Sequence, residues 1–179
     1  MQYLKLDDDA YWQNTGRYQK LARPVESFGD DAEPELRARY EQVKARYFPL
    51  DERDDEHTVV PLVITYPPQT KLSRHAHQCG ILFVVLRGKI YAPDGLVLEP
   101  GDCCYAMAHE YYGPMLVGAD GATALEIFTS PDAIGTDHLR PDGTEHIWRA
   151  FSDDEREFTN GYDGFDELFA AMHADLART

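Results

Sequence analysis

Residues 74–128 read RHAHQCGILFVVLRGKIYAPDGLVLEPGDCCYAMAHEYYGPMLVGADGATALEIF, and a His75-Ala-His77 pair begins this series of short apolar runs. Successive side chains of a β-strand point to opposite faces, so His75 and His77 share one face when this segment is extended. Neutral imidazole is the commonest metal ligand in proteins. The pair therefore predicts two rings that hold one metal ion.

The region from Thr58 to Ser130 alternates between strand-like runs and turn signals. Short strands at this spacing are typical of a barrel or a sandwich, so an all-β fold is predicted. The turns are predicted at Pro67-Pro68, Pro93-Asp-Gly95, Pro100-Gly101, Gly113-Pro114 and Ala119-Asp-Gly121. The strands are predicted at Val59 to Tyr66, Leu72 to His77, Ile81 to Tyr91, Leu96 to Leu98, Asp102 to Ala108, Met115 to Val117 and Ala122 to Thr129.

Helices are predicted on both sides of the strands. The first begins near Pro34 and ends before Pro49, because apolar residues recur there at helical spacing at Leu36, Tyr40, Val43 and Tyr47. The second runs from Phe165 to Leu176, where Leu168, Phe169 and Met172 complete one apolar face. We therefore divide the single domain into an N-terminal helical and loop extension (1–57), a β-barrel core (58–130) and a C-terminal loop and helix that pack on the barrel (131–179).

The charge of the chain limits its partners. There are 17 lysines and arginines against 32 aspartates and glutamates, a formal net charge of −15. Such a surface repels phosphate backbones and anionic lipids, so neither nucleic acid nor membrane is an expected partner. The N-terminus has no signal-peptide pattern, and the odd set of Cys79, Cys103 and Cys104 suits reduced thiols. The expected location is the cytoplasm.

Residues 58–130 resemble the cupin family, whose members are double-sheet β-barrels of jelly-roll type (a double-stranded β-helix). The first cupin motif has the form G-x5-H-x-H-x(3,4)-E-x6-G, and here Gly88 follows His77 by eleven residues. The second has the form G-x5-P-x-G-x2-H-x3-N, and Pro100-Gly101-Asp102 matches its start. The resemblance implies a cupin barrel that binds a divalent transition metal.

The sequence departs from both motifs at ligand positions. The glutamate of the first motif falls on Ile81 or Leu82, and the histidine of the second falls on Tyr112. His75 and His77 are therefore the ligands that the resemblance implies directly. His109, three residues before Tyr112, can supply a third imidazole. Alternatively, Tyr112 ligates or lines the cavity, or Glu126 adds an oxygen from the last strand.

The resemblance implies a metal-dependent enzyme, and the first expectation is a non-haem iron dioxygenase that acts on a small carbonyl-bearing or aromatic compound. Fe(II) is the expected metal, with Zn or Ni as alternatives, because imidazole suits all three. Tyr105 and Tyr112 are the expected catalytic hydroxyls. The alternatives are a Zn-dependent isomerase, cyclase or lyase, and a cupin that binds a ligand as a sensor without turnover. A small-molecule substrate and a homodimer are the expected partners.

Overall fold

The computed structural model describes residues 4–13, 38, 42–48, 59–72, 74–130 and 164–178, and the backbone alone of 136–139 and 145–148. Strands are the commonest regular element in this part of the chain, and short 3-10 turns lie at Asp9–Tyr11 and Pro93–Gly95. The elements are β1 Lys44–Tyr47, β2 Val60–Tyr66, β3 Lys71–Leu72, β4 His75–Ala76, β5 Ile81–Tyr91, β6 Val97–Leu98, β7 Cys103–Ala106, β8 Met115–Phe128, β9 Thr136–Leu139, β10 Glu145–Trp148 and α1 Phe165–Leu176.

The described strands form two sheets. The larger has seven strands in the order β1-β2-β8-β5-β6, with β3 also paired to β8 and β7 also paired to β5. The smaller has three strands in the order β10-β9-β4. Every pairing between these strands is antiparallel. The predicted all-β, jelly-roll type of fold is confirmed.

Burial alternates where the central strands of the larger sheet face each other, over residues 81–85 of β5 and 124–128 of β8. Glu126 on β8 lies in register with Leu62 on β2 and with Phe83 on β5, and all three side chains are buried. The next inward position on β8 is Phe128, which is also buried. Because cross-strand partners share a face, these residues line the core side of the sheet. The alternation explains why the strands were readable from the sequence.

The predicted N-terminal helix is wrong at its C-terminal end. Residues Lys44–Tyr47 form β1, which pairs with β2. Val43, Ala45 and Tyr47 are buried, which is the period of two that a strand requires. Val43 and Tyr47 are also four residues apart, a spacing that a helix shares, so the apolar pattern fitted both structures. Ala38 is helical, and the rest of the predicted segment lies outside the described residues.

The predicted turn at Ala119-Asp-Gly121 is also wrong, because β8 continues through it. The irregularity appears instead in the pairing: β5 advances two residues from Gly88 to Ile90 while β8 advances five, from Ala122 to Val117. Gly88 has a φ of +73°, and a Cβ atom there would lie 2.0 Å from the carbonyl oxygen of Gly121. The motif glycine therefore permits a close backbone approach that no side chain allows.

The chain after residue 130 contains more strand than the sequence predicted. Residues 131–164 were expected to be loop, whereas β9 and β10 form a hairpin that pairs with β4. Each of these strands has four residues, of which three are polar in Thr136–Leu139 and two in Glu145–Trp148. Such a run carries little apolar alternation, so the pattern predicted no strand there.

The predicted C-terminal helix is confirmed as α1. Phe165, Leu168 and Met172 are buried against Tyr91 and Leu116 of the larger sheet. At the last turn, Asp175 accepts hydrogen bonds from Lys89 Nζ at 2.7 Å and from the Tyr91 hydroxyl at 2.9 Å. The helix is thus attached to β5 by both apolar and polar contacts. Among the described residues, the structure contains no helix of the length and hydropathy that a membrane span needs.

Candidate metal centre

His75 is fixed by its backbone. It lies on β4, at the edge of the smaller sheet, and exchanges two hydrogen bonds with Tyr112: His75 N donates to Tyr112 O at 3.1 Å, and Tyr112 N donates to His75 O at 2.9 Å. This isolated bridge brings the segment that carries the second motif beside the first motif. The two motif regions, 37 positions apart by their residue numbers, therefore meet at one place.

The structure brings the predicted histidine pair together. The ring centroids of His75 and His77 lie 5.1 Å apart, with the planes nearly perpendicular. His77 is only 6% exposed. Its ring packs in a T-shaped arrangement against the ring of Phe128, with the centroids 5.1 Å apart. The Phe128 contact joins the pair to the core side of the larger sheet. His77 therefore lies against the core side of the larger sheet, with His75 beside it.

Tyr112 occupies the position where the second motif has histidine. Its hydroxyl lies 2.9 Å from Nε2 of His77, and its ring centroid lies 4.6 Å from that of His75. Burial raises the pKa of Tyr112 well above its ordinary value, and the nearby Glu126 raises it further. The side chain is therefore a neutral phenol at neutral pH, available to donate a hydrogen bond.

Glu126 is the buried carboxyl of this region, at 8% exposed. The Tyr66 hydroxyl donates a hydrogen bond to Glu126 Oε1 at 3.0 Å. Burial raises the pKa of Glu126 from 4.5 to about 7, although the bond from Tyr66 acts in the opposite direction. Glu126 is consequently divided between its neutral and ionised forms near neutral pH.

The structure does not bring Tyr105 to this centre. Tyr105 pairs with Leu82 on the opposite face from Phe83, and it is 59% exposed. Its hydroxyl covers Gly80 on the outside, where a Cβ atom would lie 2.5 Å from the phenol oxygen. A hydroxyl on that face cannot reach the histidine pair without a change of the strand register.

His109 contributes its backbone near the centre. Its N–H donates to the carbonyl oxygen of His77 at 2.7 Å, and its φ is +63°. Its side chain is exposed. Within the described part of the chain, no three His, Cys, Asp or Glu side chains lie close enough to hold a metal ion. The donors that do meet are the imidazoles of His75 and His77 and the phenol oxygen of Tyr112.

The hairpin of β9 and β10 carries two further histidines, and β9 places one of them opposite His75. His138 on β9 is the register partner of His75, and His146 on β10 is the register partner of His138. Both fall in the segment that was predicted to be loop. The signal was missed because β9 and β10 were not recognised as strands.

The two partly or fully buried thiols are protonated groups. Burial raises the pKa of Cys79, whose sulfur also lies 3.8 Å from the carbonyl oxygen of Ser130. Burial raises the pKa of Cys104 as well, and the neighbouring Cys103 adds to that. A protonated thiol is a poor metal ligand, so the structure favours imidazole and oxygen donors.

Comparison with known proteins finds likeness in structure and not in sequence. No protein-family model matches this chain, and no curated protein matches it. An acetylacetone dioxygenase from Acinetobacter johnsonii aligns with 59% of this chain and 71% of its own, at 9% identity and a TM-score of 0.45. An RmlC-like cupin protein from Ralstonia eutropha aligns with 76% of this chain and 79% of its own, at 14% identity and a TM-score of 0.45. An RmlC-like cupin from Shewanella frigidimarina aligns with 49% of this chain and 76% of its own, at 20% identity and a TM-score of 0.41.

Proposed function

We propose that this protein, whose described strands form one antiparallel sheet of seven strands and a second of three, is a metal-dependent cupin enzyme acting on a small carbonyl-bearing or aromatic compound. The first candidate activity is that of a non-haem iron dioxygenase. The observation that carries the proposal is the pair of imidazoles, His75 and His77, with ring centroids 5.1 Å apart. Two neutral nitrogen donors suit Fe(II), Zn and Ni.

The donors at this centre fit a metal with open positions. His75 and His77 supply two nitrogens, and the Tyr112 hydroxyl, 2.9 Å from Nε2 of His77, is placed to supply an oxygen or to bind a ligand of the metal. When bound, an iron ion would supply the site at which dioxygen and a chelating substrate meet. His109 and Glu126 remain proposed contributors, His109 through its position beside the His77 carbonyl group.

The residues around the pair favour a flat organic substrate. Phe128 stacks edge-on against His77, and Phe83 is buried on the same side of the larger sheet. Aromatic walls of this kind bind apolar or aromatic molecules through surface burial. The neutral Tyr112 hydroxyl can donate a hydrogen bond to an oxyanion that develops on a carbonyl oxygen. These features suit a small compound with a carbonyl group better than a sugar.

Metal content tests the proposal. Protein produced without a histidine tag is analysed by elemental mass spectrometry alongside His77→Ala and His173→Ala, since His173 is an exposed histidine on α1. About one equivalent of iron that only His77→Ala loses supports the dioxygenase, and oxygen uptake with diketones and catechols is then the activity assay. An equal metal content in all three proteins contradicts the proposed centre.

A second candidate is a Zn-dependent isomerase, cyclase or lyase. The buried carboxyl of Glu126, with a pKa raised by burial to about 7, favours it, because proton-transfer reactions need a group that titrates near the working pH. Zinc rather than iron in the wild type, lost in His77→Ala, would support this candidate. A wild type without bound metal would favour a ligand-binding protein without turnover.

A further inference from the structure

The histidine pair lacks a donor that a catalytic metal centre usually has. Such centres commonly hold the metal by three protein ligands and keep one position open, whereas His75 and His77 supply two nitrogens. Among the side chains that the structure describes, no three His, Cys, Asp or Glu groups lie close enough to hold a metal ion. The histidines of β9 and β10, of which the structure describes the backbone alone, are further candidates for the missing donor.

A row of histidines crosses the smaller sheet and ends at Tyr112. His146 on β10 is the register partner of His138 on β9, and His138 is the register partner of His75 on β4. The isolated bridge between His75 and Tyr112 extends the row on the other side of β4. Because cross-strand partners share a face of a sheet, the residues of this row occupy positions on one face.

The described side chains show which face this is. The ring centroids of His75 and Tyr112 lie 4.6 Å apart, as cross-strand partners on one face do. The Tyr112 hydroxyl lies 2.9 Å from Nε2 of His77, and the ring centroid of His75 lies 5.1 Å from that of His77. The face that the row shares is therefore the face on the side of His77, and the position of His138 belongs to it.

The backbone hydrogen bonds make His75 and His138 the closer kind of cross-strand pair. In an antiparallel sheet, a residue that exchanges both backbone bonds with one neighbour forms a non-hydrogen-bonded pair with its other neighbour. His75 exchanges both bonds with Tyr112, at 3.1 and 2.9 Å, so its pair with His138 is the non-hydrogen-bonded one. The Cα atoms of such pairs lie about 4.5 Å apart. His146 lies one strand further away, about 9.5 Å from β4.

We propose that His138 is a third metal ligand, which joins His75 and His77 from β9. This role of His138 rests on the proposed function, because it adds a donor to the same metal centre. Three neutral imidazoles leave the metal its full positive charge and an open coordination position. A metal of this kind favours an anionic substrate that chelates it through oxygen atoms. The hairpin of β9 and β10 then belongs to the centre, although it lies outside both sequence motifs.

Zn(II) affinity, measured by titration calorimetry, tests the role of His138. The matched control is His146→Ala, because it removes the same side chain from the other strand of the same hairpin. Removing a group that only supports a ligand typically weakens metal binding by about 10- to 100-fold. We therefore expect a loss of at least about 100-fold in His138→Ala and of less than about tenfold in His146→Ala. A smaller loss in His138→Ala, or equal losses in both variants, overturns the proposal.

Cysteine substitutions test the ligand by a signal that is gained, so the test also applies if His138→Ala does not fold. A thiolate replaces imidazole in many metal sites, and a thiolate bound to Co(II) absorbs in the near ultraviolet by charge transfer. We expect His138→Cys to add this band to the spectrum of the Co(II)-loaded protein, and His146→Cys to add none. The native cysteines are present in every protein compared. A spectrum of His138→Cys without an added band overturns the proposal.

The same measurements separate the role of His138 from the existence of the metal centre. Zn(II) binding that both His77→Ala and His138→Ala lose supports the centre and the third ligand together. Binding that His77→Ala loses and His138→Ala keeps contradicts the role of His138 alone. A wild type that binds no Zn(II) contradicts the metal centre, and the role of His138 with it.

Discussion

Gly88 and Gly95 have the same backbone conformation in different surroundings. Both have a φ of +73°, but a Cβ atom at Gly88 would lie 2.0 Å from the Gly121 carbonyl oxygen, whereas one at Gly95 meets no atom of the structure within 4 Å. We expect Gly95→Ala to lower the free energy of unfolding by about 1 kcal/mol, and Gly88→Ala to lower it by at least about 3 kcal/mol. Urea denaturation measures both, and equal losses would contradict the close approach.

Tyr112 and Tyr105 offer a matched test of the candidate centre. The Tyr112 hydroxyl lies 2.9 Å from Nε2 of His77. Tyr105, in contrast, lies on the face of the larger sheet that is opposite to Phe83. Groups that bond to metal-ligating histidines typically change metal affinity by about 10- to 100-fold. We expect Tyr112→Phe to weaken Zn(II) binding by at least about tenfold and Tyr105→Phe to leave it unchanged. Titration calorimetry gives both affinities, and the reverse order would place the centre elsewhere.

Glu126 makes the stability of the metal-free protein depend on pH. Burial raises its pKa from 4.5 to about 7, so the folded state holds this proton more tightly than the unfolded chain does. Below about pH 4.5 Glu126 is protonated in both the folded and the unfolded state, so it does not make the free energy of unfolding depend on pH. As the pH rises to about 7 and above, ionising Glu126 in the folded state costs on the order of 3 kcal/mol.

We therefore expect the wild type to lose more stability than Glu126→Gln between about pH 5 and pH 8. Urea denaturation of both proteins in a chelator at the two pH values measures the difference. The variant should be the more stable protein at the higher pH, because it has no carboxylate to ionise. Parallel losses in the two proteins would show that Glu126 has an ordinary pKa.

At the scale of elements, α1 is held mainly by its apolar face. Met172 is fully buried, whereas Leu176 on the same helix is 44% exposed. We expect Met172→Ala to lower the free energy of unfolding by about 2–4 kcal/mol, and Leu176→Ala by less than about 1 kcal/mol. Chemical denaturation followed by circular dichroism measures both. A small effect of Met172→Ala would mean that α1 is not packed on β5 and β8.

Strand β1 was predicted as part of a helix, so the spacing of apolar residues alone did not separate helix from strand there. Val43 and Tyr47 are separated by four residues, a spacing that places them on one face of a helix and also on one face of a strand. The segment became a strand because β2 offers an unpaired edge, and Lys44–Tyr47 fill its hydrogen bonds. Local spacing could not reveal that edge, since the edge belongs to another part of the chain.

At the scale of the molecule, a metal that binds only the folded protein stabilises the whole domain. At a free concentration 100 times its Kd, the metal adds about 2.7 kcal/mol to the free energy of unfolding, or roughly 5–10 °C in Tm. We expect Zn(II) to raise the Tm of the wild type and not that of His77→Ala. Mg(II) is the control for cation binding to a chain of net charge −15. An equal rise with Mg(II) would indicate surface binding.

The sequence by itself determined the class of fold and the histidine pair. Strands β2 and β5 and the two ends of β8 were readable because their inward residues pack the core, whereas the middle of β8 was predicted as a turn. His75 and His77 share a face through local strand geometry alone. Each of these features depends on residues close together in the chain, so the pattern carries it.

Only the tertiary structure decided which other residues meet the pair. Tyr112 reaches His77 through a bridge between two segments, Tyr105 is turned outward by the register of β7, and His138 becomes the partner of His75 through a hairpin with no strong apolar pattern. The raised pKa of Glu126 likewise follows from burial between strands. Pairing between distant segments sets these contacts, and spacing along the chain does not encode it.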